Sequence, residues 1–386
     1  MASTTLMNLS STALYISFIL YLIAILPFGL SIKSKTKSFV YTGISLTSLG
    51  FIFQIFYFIS RWYVIGHAPV SNLYEFMTFF GIMLIASFLI LFYMYRQSII
   101  GLFTLPVVLL TLGFANTFSS DVTPLIPALQ SEWLTIHVLT VAFSSAVLSI
   151  SFVTGIIYLL KVIALNEKSI RAFFLELVMY FLVTVFGFII ITGIFSFTDY
   201  TKTITFEDTN SIQETLEYNL PIIVAPSNII TEQEGLTDVP LWVNAKKLNT
   251  ILWSFLVGTV LYLIIRLVTR KRIISLLKPL TNKVNIDLMD EITYRAVVIG
   301  FPLFALGGLI FAMIWAHIAW GRFWGWDPKE VWALITFLFY ATFLHLRFGK
   351  NWIGEKSAWM AIGGFGIIVF NQVFVNLVIA GLHSYA

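Results

Sequence analysis

The residues of this 386-residue chain that can do chemistry are few: five histidines, no cysteine and a dense run of tryptophans. Without cysteine the chain has no disulfides, thiolate metal sites, iron–sulfur clusters or thiol relays of its own. Imidazole is a haem-iron ligand, and a haem iron can take two imidazoles from opposite faces. The tryptophans concentrate in WAHIAWGRFWGWDPKEVW, residues 315–332, which holds Trp315, Trp320, Trp324, Trp326 and Trp332 out of eleven in all. An aromatic belt at a membrane surface accounts for two or three rings at the end of a span. Five rings around Gly321 and Gly325 suit a wall for a large planar apolar ligand, the small residues letting it reach the backbone. Arg322 and Lys329 would meet such a ligand's carboxylates, or would anchor the segment at the interface. Asp327-Pro328-Lys329-Glu330 also has a plainer use: N-cap, first-turn proline and capping-box glutamate, with Trp326 and Val331 at the staple positions.

The histidines fall at different depths. His137 stands at the outer end of an apolar span, with Trp133 one turn before it on the same face. His383 stands at the outer end of the last span; Asn376 lies seven residues inward on its face, and Asn371 and Gln372 lie deeper. His345 is fourteen residues of helix beyond Val331, about 21 Å at 1.5 Å per residue, which places it toward the inner leaflet. His67, in GHAPVSNLYE, and His317 are also on the outer side. A single histidine at a span end has an ordinary reading, a ring hydrogen-bonded to backbone or water. The pair His137 and His383, flanking the tryptophan segment in sequence, adds the reading of two ligands to one iron. Asn72 and Glu75 pair as a cap for the third span.

The elements that must position these residues are membrane helices. The chain is 59% hydrophobic, 17% aromatic and 11% charged, with mean hydropathy +0.91, whereas a soluble domain is about 25% charged. That excludes a soluble globular protein, a disordered chain and a nucleic-acid binder. A span needs roughly 20 apolar residues, and ten stretches qualify: 12–30, 39–60, 74–95, 99–118, 133–160, 174–195, 249–268, 296–316, 330–347 and 357–382. Pro106 and Gly113 interrupt the fourth, so a re-entrant segment is its alternative. The first run is span-length and lacks the charged flank and cleavage site of a signal peptide. With both termini outside, the inner side receives 17 of the 23 basic residues, and only Arg61, Lys202, Lys246, Lys247, Arg322 and Lys329 stay outside. The positive-inside rule selects that orientation. The expected fold class is an all-α polytopic membrane helical bundle of about ten spans, one membrane domain over 1–386, both termini extracytoplasmic. Residues 196–248 form an acidic outer loop, either solvated or a docking surface, in which TKTITFED alternates like a short strand. Residues 270–293 mix basic and apolar positions and are expected to lie along the inner headgroups.

WGRFWGWDPKEVW resembles the tryptophan-rich WWD signature of the haem-handling proteins of cytochrome c maturation, the CcsA/ResC type of System II above all. RWYVIGHAPVSNLYE (61–75), PALQSEWLTIH (127–137), LHLRFGKNW (344–352) and GLHSYA (381–386) are similar to that family's early outer loop, first external histidine, intramembrane histidine and second external histidine. The resemblance implies a ResB/CcsB-type partner, with which the chain moves haem b outward and presents it, reduced, to the CxxCH thiols of apocytochrome c. It implies external axial ligation by His137 and His383, and intramembrane ligation by His345 with a counterpart from the partner. The WWD loop, including Trp320, Trp324, Trp326 and Asp327 with Arg322 and Lys329, would hold the haem edge. It assigns no role to the 196–248 loop and no required ligand at His67 or His317. Two activities fit: haem delivery, and haem lyase activity shared with the partner. The location implied is an energy-transducing membrane of a cell or plastid. A permease for haem or a small molecule, a b-type membrane cytochrome and a scaffold for the partner are the rival readings.

Overall fold

Ten helices among the described residues are long and apolar enough to cross a membrane. In lipid every backbone polar group must be satisfied within the chain, which leaves helices as the way for such sequences to span. The computed structural model describes residues 2–34, 36–122, 124–125, 127–163, 169–207, 213–230, 235–241 and 243–375. The protein is an all-α polytopic bundle with a small amount of β-structure, in two compact units, residues 1–164 with 277–386 and residues 165–276.

The first unit contains α1 (Ala2–Lys33), α2 (Lys37–Ile65), α3 (Leu73–Tyr95), α4 (Ser98–Ala115) and α5 (Glu132–Val162). It continues with α9 (Ile286–Phe304), a π-helical segment (Ala305–Phe311), α10 (Ala312–Trp320), α11 (Pro328–Lys350), α12 (Glu355–Val369) and a second π-helical segment (Phe370–Val375). Lipid tails are as apolar as leucine, so these helices are held by close packing and buried polar contacts rather than by expulsion of water. The cluster Leu148, Val297, Phe304, Tyr340, Phe343, Ala361 and Ile368 joins α5, α9, α11 and α12. Thr154 and Thr293 hydrogen-bond between α5 and α9 at 2.7 Å.

The fourth span agrees with the sequence expectation and the eighth differs from it. The fourth is one continuous helix through Pro106; the proline is exposed on the helix surface while most of α4 is buried. The eighth begins at Ile286, not 296, and runs 35 residues to Trp320. Asn285 caps it by accepting from the Leu288 N–H at 3.1 Å. Asp290, inside its second turn, receives both ends of the Arg347 guanidinium at 2.9 and 2.8 Å. Residues 286–293 are thus the first turns of α9, and the stretch before them is α8 (Ile273–Leu277) and a 3₁₀ turn, Lys278–Thr281.

The second unit contains α6 (Ile170–Phe197) and α7 (Ala245–Thr269), which touch backbone to backbone at Gly187 and Gly258. The segment expected as an acidic loop is a folded β-element between them. β1 (Lys202–Glu207) pairs antiparallel with β2 (Gln213–Tyr218), and β3 (Val224–Pro226) pairs parallel with β4 (Thr237–Val239). The alternating strand expected in TKTITFED is β1. Asn249 of α7 accepts from the Ile223 and Val224 N–H groups at 2.8 and 3.2 Å, fixing the β-element to its helix.

Candidate functional site

The site begins at the first turns of α5. Ser131 caps the helix, its side chain accepting from the Trp133 N–H at 3.2 Å. His137, half-buried one turn later, makes a 2.8 Å hydrogen bond between Nδ1 and the carbonyl oxygen of Gly307. A carbonyl oxygen can only accept, so Nδ1 carries a proton, and in the neutral ring the lone pair is then on Nε2. This is the arrangement by which proteins orient imidazole as a metal ligand and raise its basicity. The ring also stacks on Trp315, with centroids 5.8 Å apart and planes 11° from parallel. Trp315 is 2% exposed and donates its indole N–H to the Ala128 carbonyl at 2.9 Å.

Gly307 reaches His137 because it is glycine. A Cβ there would stand 2.9 Å from the Val141 N and 3.0 Å from the Thr140 carbonyl carbon, backbone atoms of α5 that cannot give way. It lies in the first π-helical segment, a geometry concentrated at functional sites. The second π-helical segment carries Asn371 and Gln372. Residues of both π segments line one cavity of about 170 Å³. Its walls also include His137, Trp315, Trp324, Lys329 and Glu330, with Ser71, Asn72 and Phe76 at the entry to α3.

The tryptophan segment is strapped to the start of α11. Asp327 and Glu330 form the capping box the sequence indicates. The Glu330 carboxylate accepts from the Gly325 N–H at 2.7 Å and the Asp327 N–H at 3.2 Å. The two glycines serve the loop's own structure. Gly321 ends α10 at φ +69°, and the Arg322 guanidinium lies over Gly325, 2.6 Å from where a Cβ would stand. Trp324 lines the cavity, whereas Trp326 is 70% exposed and holds a positive φ of 57°. So exposed a ring does little packing as a staple. Trp320 stands edge-on to Trp315 at 4.9 Å, and Trp332 packs on Phe370 at 4.3 Å.

The family profile described as cytochrome c assembly protein matches residues 70–215 and 248–383. The chain belongs to this family. Within it, the cytochrome c biogenesis protein CcsA of Heterosigma akashiwo is 32% identical over 342 residues, 86% of this chain and 81% of its own length. CcsA of Cyanophora paradoxa is 30% identical over 393 residues, covering 98% of this chain and 99% of its own. CcsA of Gloeothece citriformis is 30% identical over 332 residues, 84% and 81% of the two chains.

In this CcsA-family chain the expected site residues separate into two groups. His137, Trp324 and Lys329 share the cavity, with Trp320 in contact through Trp315. Asp327 is 7% exposed and serves in the cap. Trp326 and Arg322 are on the surface of the same loop. His345 is elsewhere: it lies sixteen residues along α11 from Lys329, about 24 Å of helix, with its side chain exposed on the helix surface. His383 and Asn376 lie outside the described residues. Of the remaining histidines, His67 contacts the carbonyl of its neighbour Ala68 at 3.0 Å. His317 stacks on Phe323 at 4.3 Å, exposed to the surroundings. What the sequence did not disclose is the support of His137 by Gly307 and Trp315, and the wall at 70–76. The motif GHAPVSNLYE and its Asn72/Glu75 cap were the available signal for that wall.

Proposed function

We propose that this protein, as a member of the cytochrome c maturation machinery, binds haem b beside His137 on the extracytoplasmic side of an energy-transducing membrane. With a ResB/CcsB-type partner it moves haem to that site and presents it to the CxxCH thiols of apocytochrome c. The observation that carries this reading is the Nδ1 hydrogen bond from His137 to Gly307, which in the neutral imidazole makes Nε2 the nitrogen that bears the lone pair an iron requires. His137 is one axial ligand and His383 the other. Trp324 supplies an apolar face beside the ring, and Lys329 a cation for a propionate. A cavity of about 170 Å³ is smaller than the roughly 300–1,000 Å³ of sites that enclose a ligand. It therefore takes one edge of the macrocycle and leaves the rest accessible, as presentation to a peptide requires. His345, exposed on α11, is the intramembrane ligand, its counterpart coming from the partner.

Thioether formation adds a thiol S–H across a vinyl C=C bond: sulfur bonds to one carbon and hydrogen to the other, with no net electron transfer. No cysteine of the protein is needed, and its contribution is orientation and close approach. The test is the absorption spectrum of the full chain purified with its partner. Wild type should carry a bis-imidazole haem. His137→Ala should lose that spectrum and stop cytochrome c maturation, and added imidazole should partly restore both. His317→Ala should do neither. Loss of the spectrum in His317→Ala with His137→Ala unchanged would reject the ligand assignment, and transport of haem without any bis-imidazole species would favour a permease.

A further inference from the structure

We propose that the buried Arg61–Glu75 ion pair is the positioning device for the Ser71–Asn72 wall of the His137 cavity. Its functional meaning rests on the haem site proposed above. Arg61, at the outer end of α2, and Glu75, in the first turn of α3, are each 2% exposed. Both Arg61 Nε and an Arg61 terminal nitrogen approach Glu75 Oε1 at 2.9 Å. The same terminal nitrogen donates to the Ser120 carbonyl at 2.8 Å, and the guanidinium packs over the Tyr74 ring at 5.4 Å.

The second carboxylate oxygen of Glu75 is committed to the wall. It accepts from the Ser71 N–H at 2.9 Å and from the Ser71 hydroxyl at 2.8 Å. In return, Asn72 accepts from the Glu75 N–H at 2.9 Å. Ser71 and Asn72 line the cavity together with Val70 and Phe76. The connection between α2 and α3 has no regular structure of its own, and such segments are ordinarily mobile. Here one carboxylate fixes two donors of a single residue in it.

Stability alone is a poor reason for such a pair, because replacing a buried ion pair by apolar residues is often neutral or stabilising. An apolar pair could join α2 to α3 equally well. It could not accept from the Ser71 backbone and hydroxyl, so the carboxylate is needed for the wall rather than for the helix contact. Arg61 keeps that carboxylate aimed, and the Ser120 contact ties the same cluster to the segment after α4.

Because the chain has no cysteine, Val70→Cys in the cavity wall is a single reporter of its closure. In the full chain with its partner, Glu75→Gln should raise the rate of Val70→Cys alkylation by maleimide at least tenfold. Asp290→Asn, which breaks the half-buried pair with Arg347, should change it less than twofold. Ser71→Ala, a milder change that leaves the ion pair whole, should raise it about threefold and decides the matter if Glu75→Gln does not insert. An unchanged rate in these variants, or an equal rise in Asp290→Asn, would overturn the positioning role. In protein that carries haem, Glu75→Gln should shift the haem spectrum with His137 intact, which general destabilisation would not do. The labelling needs no haem, so a wild-type protein that binds none would sink the haem reading while leaving the positioning result in place.

Discussion

At the scale of single residues, the tryptophans that look equivalent in sequence have different physical roles. Trp315 is enclosed and supports His137 through a stacked face and a fixed indole hydrogen bond. Removing a buried ring of that size costs about 3–5 kcal/mol, so Trp315→Ala is a folding variant as much as a site variant. Trp326 is the opposite case: exposed, and holding a left-handed backbone that costs a non-glycine residue roughly 1–2 kcal/mol. Strain of this kind persists where it serves a function, and an exposed indole is what a planar ligand would cover. Trp326→Gly should therefore leave thermal stability unchanged or slightly raised while lowering haem occupancy, and Trp324→Ala should lower occupancy too. Full haem and full maturation in both would reduce the segment to an interfacial belt.

At the scale of elements, α5 and the 35-residue span beside it act as one device. The π-helical turn at 305–311 brings the Gly307 carbonyl to His137, and the absence of a side chain at Gly307 lets the two backbones meet. Overpacking such a contact costs typically 1–3 kcal/mol. Gly307→Ala should thus destabilise by about that amount, measured by thermal unfolding in detergent, and should weaken the axial bond proposed for His137, seen as a shift in the haem spectrum. At Gly308 the nearest atom to an added Cβ is the movable Phe304 ring at 3.1 Å. Gly308→Ala should be the milder variant, with the His137 hydrogen bond kept. Equal spectra in wild type and Gly307→Ala would mean the carbonyl does not tune the imidazole.

At the scale of the whole molecule, function requires a side as well as a site. The basic residues partition 17 to 6 in favour of the cytoplasmic face if both termini are outside. That orientation would put the tryptophan loop and its cavity on the side where the proposed function has apocytochrome c meet the protein, and by the same rule residues 196–248 are expected outside. Single cysteines in this cysteine-free chain test it directly. Thr215→Cys, exposed on β2, should react with an impermeant maleimide in intact cells; Lys271→Cys, exposed after α7, should react only after permeabilisation. The reverse pattern would invert the topology and place the site on the wrong face for the proposed haem presentation.

The sequence by itself determined what depends on near neighbours along the chain. The ten spans follow from runs of apolar residues, and the Asp327–Glu330 capping box follows from a four-residue pattern. Strand β1 follows from alternation, and Lys329 stands out as a cation able to meet a ligand's carboxylates. The start of the eighth span at Ile286 was not legible, because Asp290 in its second turn finds its partner in Arg347, 57 residues away. The same holds for the centre of the site. The hydrogen bond that fixes the His137 tautomer joins residues 170 apart, and the one that fixes Trp315 joins residues 187 apart. Hydropathy and caps are local quantities, whereas a carbonyl acquires a partner only when packing brings two helices into register. The sequence therefore named the histidine, and only the tertiary structure decided which of its nitrogens carries the proton.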